Sequence, residues 1–172
     1  MNQINNQALI DKIKNFSLPK YNDIPNVGLY LEQTAKYISE YLEPLQQPPL
    51  TGSMISNYVK QGLISNPVKK QYDREQIGYL FFISIAKTII SIEDIKILIE
   101  IQKNTYPPET AYTYFETEIK SVINLVFGIS DTIEEIGARN SDKKELLRNL
   151  IITVVHKVYL DMRFGEYKKT TD

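Results

Sequence analysis

Between Leu50 and Ile99, residues that start and stop helices follow one another so closely that few orders of elements fit. Thr51 is an N-cap residue, whose side-chain oxygen can accept from a free amide of the first turn. Met54, Ile55, Tyr58 and Val59 then recur at helical spacing, with Ser53, Ser56, Asn57 and Lys60 on the opposite face. Gly62 supplies the left-handed residue that ends a helix over 51–61. Asn66-Pro67 is a turn signal, and Val68-Lys69-Lys70-Gln71-Tyr72 reads as the return strand of a small basic hairpin over 65–72. Asp73, followed by Gln76, caps a helix to about Ile89 that is apolar nearly all round. Ser91 with Asp94 opens another helix, Ile92 to Lys103.

The flanks are simpler. Residues 1–26 hold one short helix (Asn6 to Asn15) and two proline-fixed stretches, Leu18-Pro19 and Ile24-Pro25, and read as an arm packed on the body. Val27 to Glu43 is an amphipathic helix ended by Pro44, and Pro48-Pro49 stiffens the connector. After Tyr106, Pro107 suits the first turn of a helix to about Phe127. Gly128 to Asn140 is acidic and loop-like; Asn140 or Ser141 caps a last helix to about Phe164, followed by a solvated tail. The expected fold is all-α: an arm (1–26), a winged helix-turn-helix head with a small β-hairpin wing (27–104), and a C-terminal helical dimerisation or effector region (105–172).

Composition narrows the chemistry. The net charge is −1, so attraction to a polyanion needs a local patch. One exists: from Thr51 to Glu75, Lys60, Lys69, Lys70 and Arg74 outnumber Asp73 and Glu75. From Thr105 to Asn140 the balance reverses, with six carboxylates against Lys120 and Arg139. The absence of cysteine excludes disulfides, thiolate metal sites and cysteine nucleophiles. His156 is the only histidine and lies on an apolar helix, as a packed or interface residue would. No phosphate-binding glycine loop, nucleophile elbow or acid–base pair stands out, so no enzyme, cofactor or metal is expected. The apolar run Ile77 to Ile90 is too short to span a bilayer, and the first residues carry no basic stretch followed by an apolar one. A cytoplasmic protein without a membrane partner is the expectation.

Thr51 to Leu98 resembles the DNA-binding head of the MerR regulators. It shares with them Tyr58 and Gly62-Leu63 at the end of one helix, Lys70-Gln71-Tyr72 closing the wing, and Ser91 to Ile95 opening the fourth helix. Leu50-Thr51, Met54-Ile55, Asn57-Tyr58-Val59-Lys60, Lys70, Tyr72, Arg74 and Ile77 are more closely similar to a bacterial family called domain of unknown function 1836. That resemblance covers roughly Leu18 to Lys103 and implies a helix-turn-helix-like fold.

The function expected is that of a DNA-binding transcriptional regulator. Ser53, Ser56, Asn57 and Lys60 would face the major groove from the recognition helix, while Lys69, Lys70 and Arg74 would hold phosphates of double-stranded DNA from the wing. A plain polar helix face and a solvated basic turn are the competing readings of the same residues. Tyr58 and Tyr72 read as core or hairpin residues, and Tyr106, Tyr112, Tyr114 and Phe115 as helix packing in preference to a ligand pocket. A homodimer through the C-terminal helices is expected, with Leu146, Leu150, Val154, Val158 and Leu160 as its candidates. The alternative is a protein-interaction module that uses the same fold without DNA. No effector is indicated.

Overall fold

The computed structural model describes residues 6–132 and 141–169. Asn140 as a helix cap, most of the acidic loop and the last three residues of the tail lie outside them.

The helix signals around the head act where they stand. Thr51 Oγ1 accepts from the Met54 amide at 3.2 Å and opens α3 (Gly52–Lys60), while α1 is Asn6–Ile13 and α2 is Leu31–Leu42. Gly62, at φ +74°, closes α3: its amide bonds to Val59 O, and that of Leu63 to Tyr58 O. These two bonds form a Schellman motif, which satisfies carbonyls the helix leaves without a partner. Asp73 and Gln76 exchange side-chain-to-backbone bonds of 2.9 Å at the start of α4 (Arg74–Ala86). Ser91 caps α5 (Ile92–Lys103). Then follow α6 (Pro108–Val126) and α7 (Asp142–Lys169), the latter running five residues beyond the Phe164 expected.

α4 lies at the centre, packed against α2, α6 and α7. Its Ile77, Leu80, Phe81 and Ile83 are fully buried, as an all-round apolar helix requires. One cluster of buried side chains runs from Leu9 to Met162 and so includes all three expected segments. Inside α4, Ser84 is buried and its Oγ has no hydrogen-bond partner among the described residues. Ser84→Ala is therefore expected to raise the unfolding free energy by about 1 kcal/mol, measurable by urea denaturation.

The N-terminal segment is tied down by a row of α6 side chains. Lys120 Nζ donates to Lys14 O at 2.8 Å, Lys20 Nζ reaches Glu116 at 2.9 Å, and the buried Tyr112 hydroxyl donates to Pro19 O at 3.0 Å. These positions are four residues apart and share one face of the helix.

Three expectations need correction. The hairpin strand meets its own outgoing chain only at the Val68–Gln71 bridge and finds its main partner elsewhere. β2 (Gln71–Tyr72) pairs antiparallel with β1 (Leu29–Tyr30), with Leu29 opposite Tyr72 and Tyr30 opposite Gln71. Leu63 and Ile64 are buried against the core, and Pro67 has no amide to offer. In consequence α2 begins at Leu31 and not at Val27. Gly28, at φ +81°, brings β1 so close to β2 that a Cβ there would lie 2.9 Å from Gln71 Cβ. Last, Leu150, Val154 and Val158 are buried in the chain's own core, where α7 packs on α6, and cannot form a dimer face; Leu146 and Leu160 are about half exposed.

Candidate nucleic-acid interface

Of the α3 residues expected to face DNA, Ser53, Asn57 and Lys60 are exposed and Ser56 is half-buried. Among the described residues, none of the four makes a side-chain hydrogen bond or ion pair. Ile55 and Tyr58, on the other face, are buried, which fixes the rotation of the helix and turns the polar row outward. Tyr58 and Tyr72 are both core residues.

The tip of the basic turn is three residues later than the Asn66-Pro67 signal placed it. Val68 and Gln71 exchange backbone hydrogen bonds of 3.1 and 2.9 Å, leaving Lys69 and Lys70 as the two central residues. Both are left-handed, with φ +50° and +65°, as a type I′ turn demands. Asn-Gly fills such turns at little cost; most other residues pay about 1 kcal/mol at each position. Two exposed lysines thus occupy a place that their backbone preference argues against.

The base of this turn is held by Gln76. Its buried Nε2 lies 2.9 Å from Ser65 O, 3.1 Å from Ser65 Oγ and 3.3 Å from Asn66 O, while its Oε1 accepts from the Asp73 amide. The capping pattern was legible in the sequence; the clamp on the turn was not.

Arg74 is differently employed. Its Nε donates to Ile24 O at 2.9 Å, its Nη1 and Nη2 donate to Asn22, and the guanidinium stands over the Tyr21 ring. Three of its five N–H groups are engaged with the N-terminal segment, which gives it a structural role.

Two lysines outside the expected set lie against α3. Lys96, from α5, brings its Nζ within 3.8 Å of where a Cβ on Gly62 would stand, at the negative end of the helix dipole. Lys87 Nζ lies 3.9 Å from Met54 Sδ, and burial pushes its pKa below the usual ammonium value. Glu32 acts in the opposite sense. Its carboxylate sits against Gly52, where a Cβ would collide with Oε1, and places negative charge beside the first turn of α3.

A second feature lies away from this face. A cavity of about 570 Å³ opens among α4, α5, α6 and the start of α7. Tyr106, Tyr112, Tyr114 and Phe115 all line it, so the aromatic run both packs the core and walls a cavity. Burial pushes the Tyr79 hydroxyl up to about 12, and it donates to Gln102 Oε1 at 2.6 Å. His156 is exposed; its Nδ1 lies 2.9 Å from Ile152 O, a carbonyl that can only accept, so Nδ1 carries the hydrogen. No helix of the described residues is long and apolar enough to cross a membrane.

Residues 19–115 match the model of a family described as Domain of unknown function (DUF1836). The match extends past α5 into α6, where Tyr112 and Phe115 pack against Phe81 and Phe82 of α4, so the shared unit includes the first half of α6. No curated protein and no solved structure matches the chain.

Proposed function

We propose that this chain, which belongs to the domain of unknown function 1836 (DUF1836) family, is a DNA-binding transcriptional regulator with a winged helix-turn-helix head related to that of MerR proteins. The observation that carries the reading is the Val68–Gln71 turn. Two consecutive lysines are held left-handed at an exposed tip, where Asn-Gly would be more stable. Local strain retained at an exposed position calls for a use of the side chains that incur it. Lys69 and Lys70 would neutralise backbone phosphates, with Lys60 as a third cation, and Ser53, Ser56 and Asn57 would face base edges.

The test is fluorescence anisotropy with a mixed-sequence labelled duplex at two salt concentrations. Three neutralised phosphates give a slope of log affinity against log salt of about −2.7, hence a loss of about 40-fold between roughly 50 and 200 mM. Absence of binding at low salt and micromolar protein would overturn the reading.

The proposal includes a homodimer. α7 leaves Leu160, Phe164 and Tyr167 about half exposed at positions i, i+4 and i+7, one apolar stripe on its outer face. A dimeric helix-turn-helix protein reads two half-sites. Sedimentation equilibrium is expected to show a dimer for the native chain and a monomer for Leu160→Glu/Phe164→Glu.

A protein-interaction module remains the second reading, and Glu32 favours it. A carboxylate beside the first turn of α3 repels phosphate at the place where helix dipoles ordinarily attract it. Binding to a protein partner through an apolar surface would lack the steep salt dependence.

A further inference from the structure

We propose that the cavity among α4, α5, α6 and the start of α7 binds a small amphipathic organic anion, its apolar body among the aromatic rings and its charged head at Lys143 and Lys144. At about 570 Å³ the cavity falls in the range of small-molecule sites and far exceeds a packing defect. Tyr79, Phe82, Leu98, Tyr106 and Tyr114 line it and are only half-buried, so their inner surfaces lack the contacts that a packed core supplies.

The polar groups of the wall satisfy one another. Tyr79 Oη donates to Gln102 Oε1 at 2.6 Å, and Gln102 Nε2 donates to Tyr106 O at 2.8 Å. A ligand body that fits between them must therefore be apolar, because a polar one would leave its own groups without partners.

Charge selects the head group. Lys143 Nζ donates to the neutral Thr105 Oγ1 at 2.9 Å, and Lys144 Nζ stands 5.5 Å from the centre of the Tyr114 ring. Among the described residues neither ammonium is ion-paired with a carboxylate, Asp142 and Glu145 of the same turn included. Both also lie in the first turn of α7, where the helix dipole disfavours cations. An anion at this edge offsets both costs. The acidic edge differs. Glu109 accepts from Asn22 Nδ2 at 3.0 Å. Glu109 thus has a hydrogen-bond donor, whereas among the described residues neither lysine has a carboxylate partner.

The site stands apart from α3 and the lysine turn, so this inference and the DNA-binding reading succeed or fail separately. The full chain is titrated with anilinonaphthalene sulfonate, an aromatic anion that fluoresces in apolar surroundings, and the complex is then challenged with decanoate and with decylamine. Saturable binding at one site per chain is expected, displaced by decanoate and not by decylamine. Lys143→Glu/Lys144→Glu, both at the surface end of α7, is expected to weaken displacement by decanoate at least about tenfold, a change of roughly 1.4 kcal/mol, with an unchanged far-ultraviolet circular dichroism spectrum. Leu98→Trp, which fills the cavity, abolishes both ligands. No saturable binding, displacement by decylamine as well as by decanoate, or a folded double variant with unaltered decanoate affinity would each overturn the proposal.

Discussion

Arg148→Ala is expected to lower the unfolding free energy by about 3 kcal/mol, the largest single-residue loss among the ion pairs of the described residues. The reason lies with its partner. Glu118 is completely buried on α6, and the Arg148 guanidinium of α7 bonds to both of its carboxylate oxygens. A carboxylate withdrawn from water is tolerated only when a cation and hydrogen bonds replace its hydration. Truncating the arginine removes both and leaves the charge in place. Arg148 also reaches the Tyr114 hydroxyl, so the loss extends to the cavity wall. By contrast, Arg148→Met/Glu118→Leu removes charge and countercharge together and is expected to stay within about 1 kcal/mol of the native chain, because a packed apolar pair of similar volume does as well as a buried ion pair. Urea denaturation of the two variants separates the effects. Equal losses in both would mean that packing between α6 and α7, and not the orphaned carboxylate, governs the result.

The contrast between Arg148 and Thr51 shows which parts of this fold a sequence discloses. Thr51, Gly62, Asp73 and Ser91 act on amides and carbonyls within a few residues of themselves, so their spacing alone identified the starts of α3, α4 and α5 and the end of α3, whereas α4 stops at Ala86, three residues short of the Ile89 expected. Arg74 bonds to Asn22 and Ile24, some fifty positions away, and nothing near it in the chain distinguishes it from a free surface cation. The same holds for β1, whose two residues gain meaning only from β2, and for Gly28, which reads as a helix residue until Gln71 is placed against it. On α7 the apolar residues recur on more than one side, so periodicity could not decide which side faces α6. Leu150, Val154 and Val158 face the core, and the outer stripe is Leu160, Phe164 and Tyr167. For a like reason a ligand pocket at Tyr106, Tyr112, Tyr114 and Phe115 ranked below packing in the sequence: four helices contribute to the cavity, and each of its rings also suits ordinary packing. For the candidate interface, the polar row of α3 was legible and the left-handed pair Lys69-Lys70 was not, since lysine carries no signal for a positive φ.

Lys69→Asn/Lys70→Gly is expected to make the protein more stable and a worse ligand for DNA. The turn keeps its geometry and gains the pair of residues that adopt it most readily, which raises the unfolding free energy by about 1–2 kcal/mol and the melting temperature by roughly 4 °C. The same exchange removes two positive charges from the tip. At about 0.1 M salt each counterion released from the duplex contributes close to tenfold, so the loss is about 60-fold and the salt slope falls by about 1.8. Lys69→Glu/Lys70→Glu leaves the strained backbone as it is and adds repulsion, so its affinity falls further with no gain in stability. Because the Asn-Gly variant improves the fold, its weaker binding could not be attributed to a damaged turn. Unchanged affinity and slope in that variant would instead assign the two lysines to a solvated surface and remove the main support for DNA binding. A stable, weakly binding variant would show that the strain at Lys69 and Lys70 is retained for contact with phosphate.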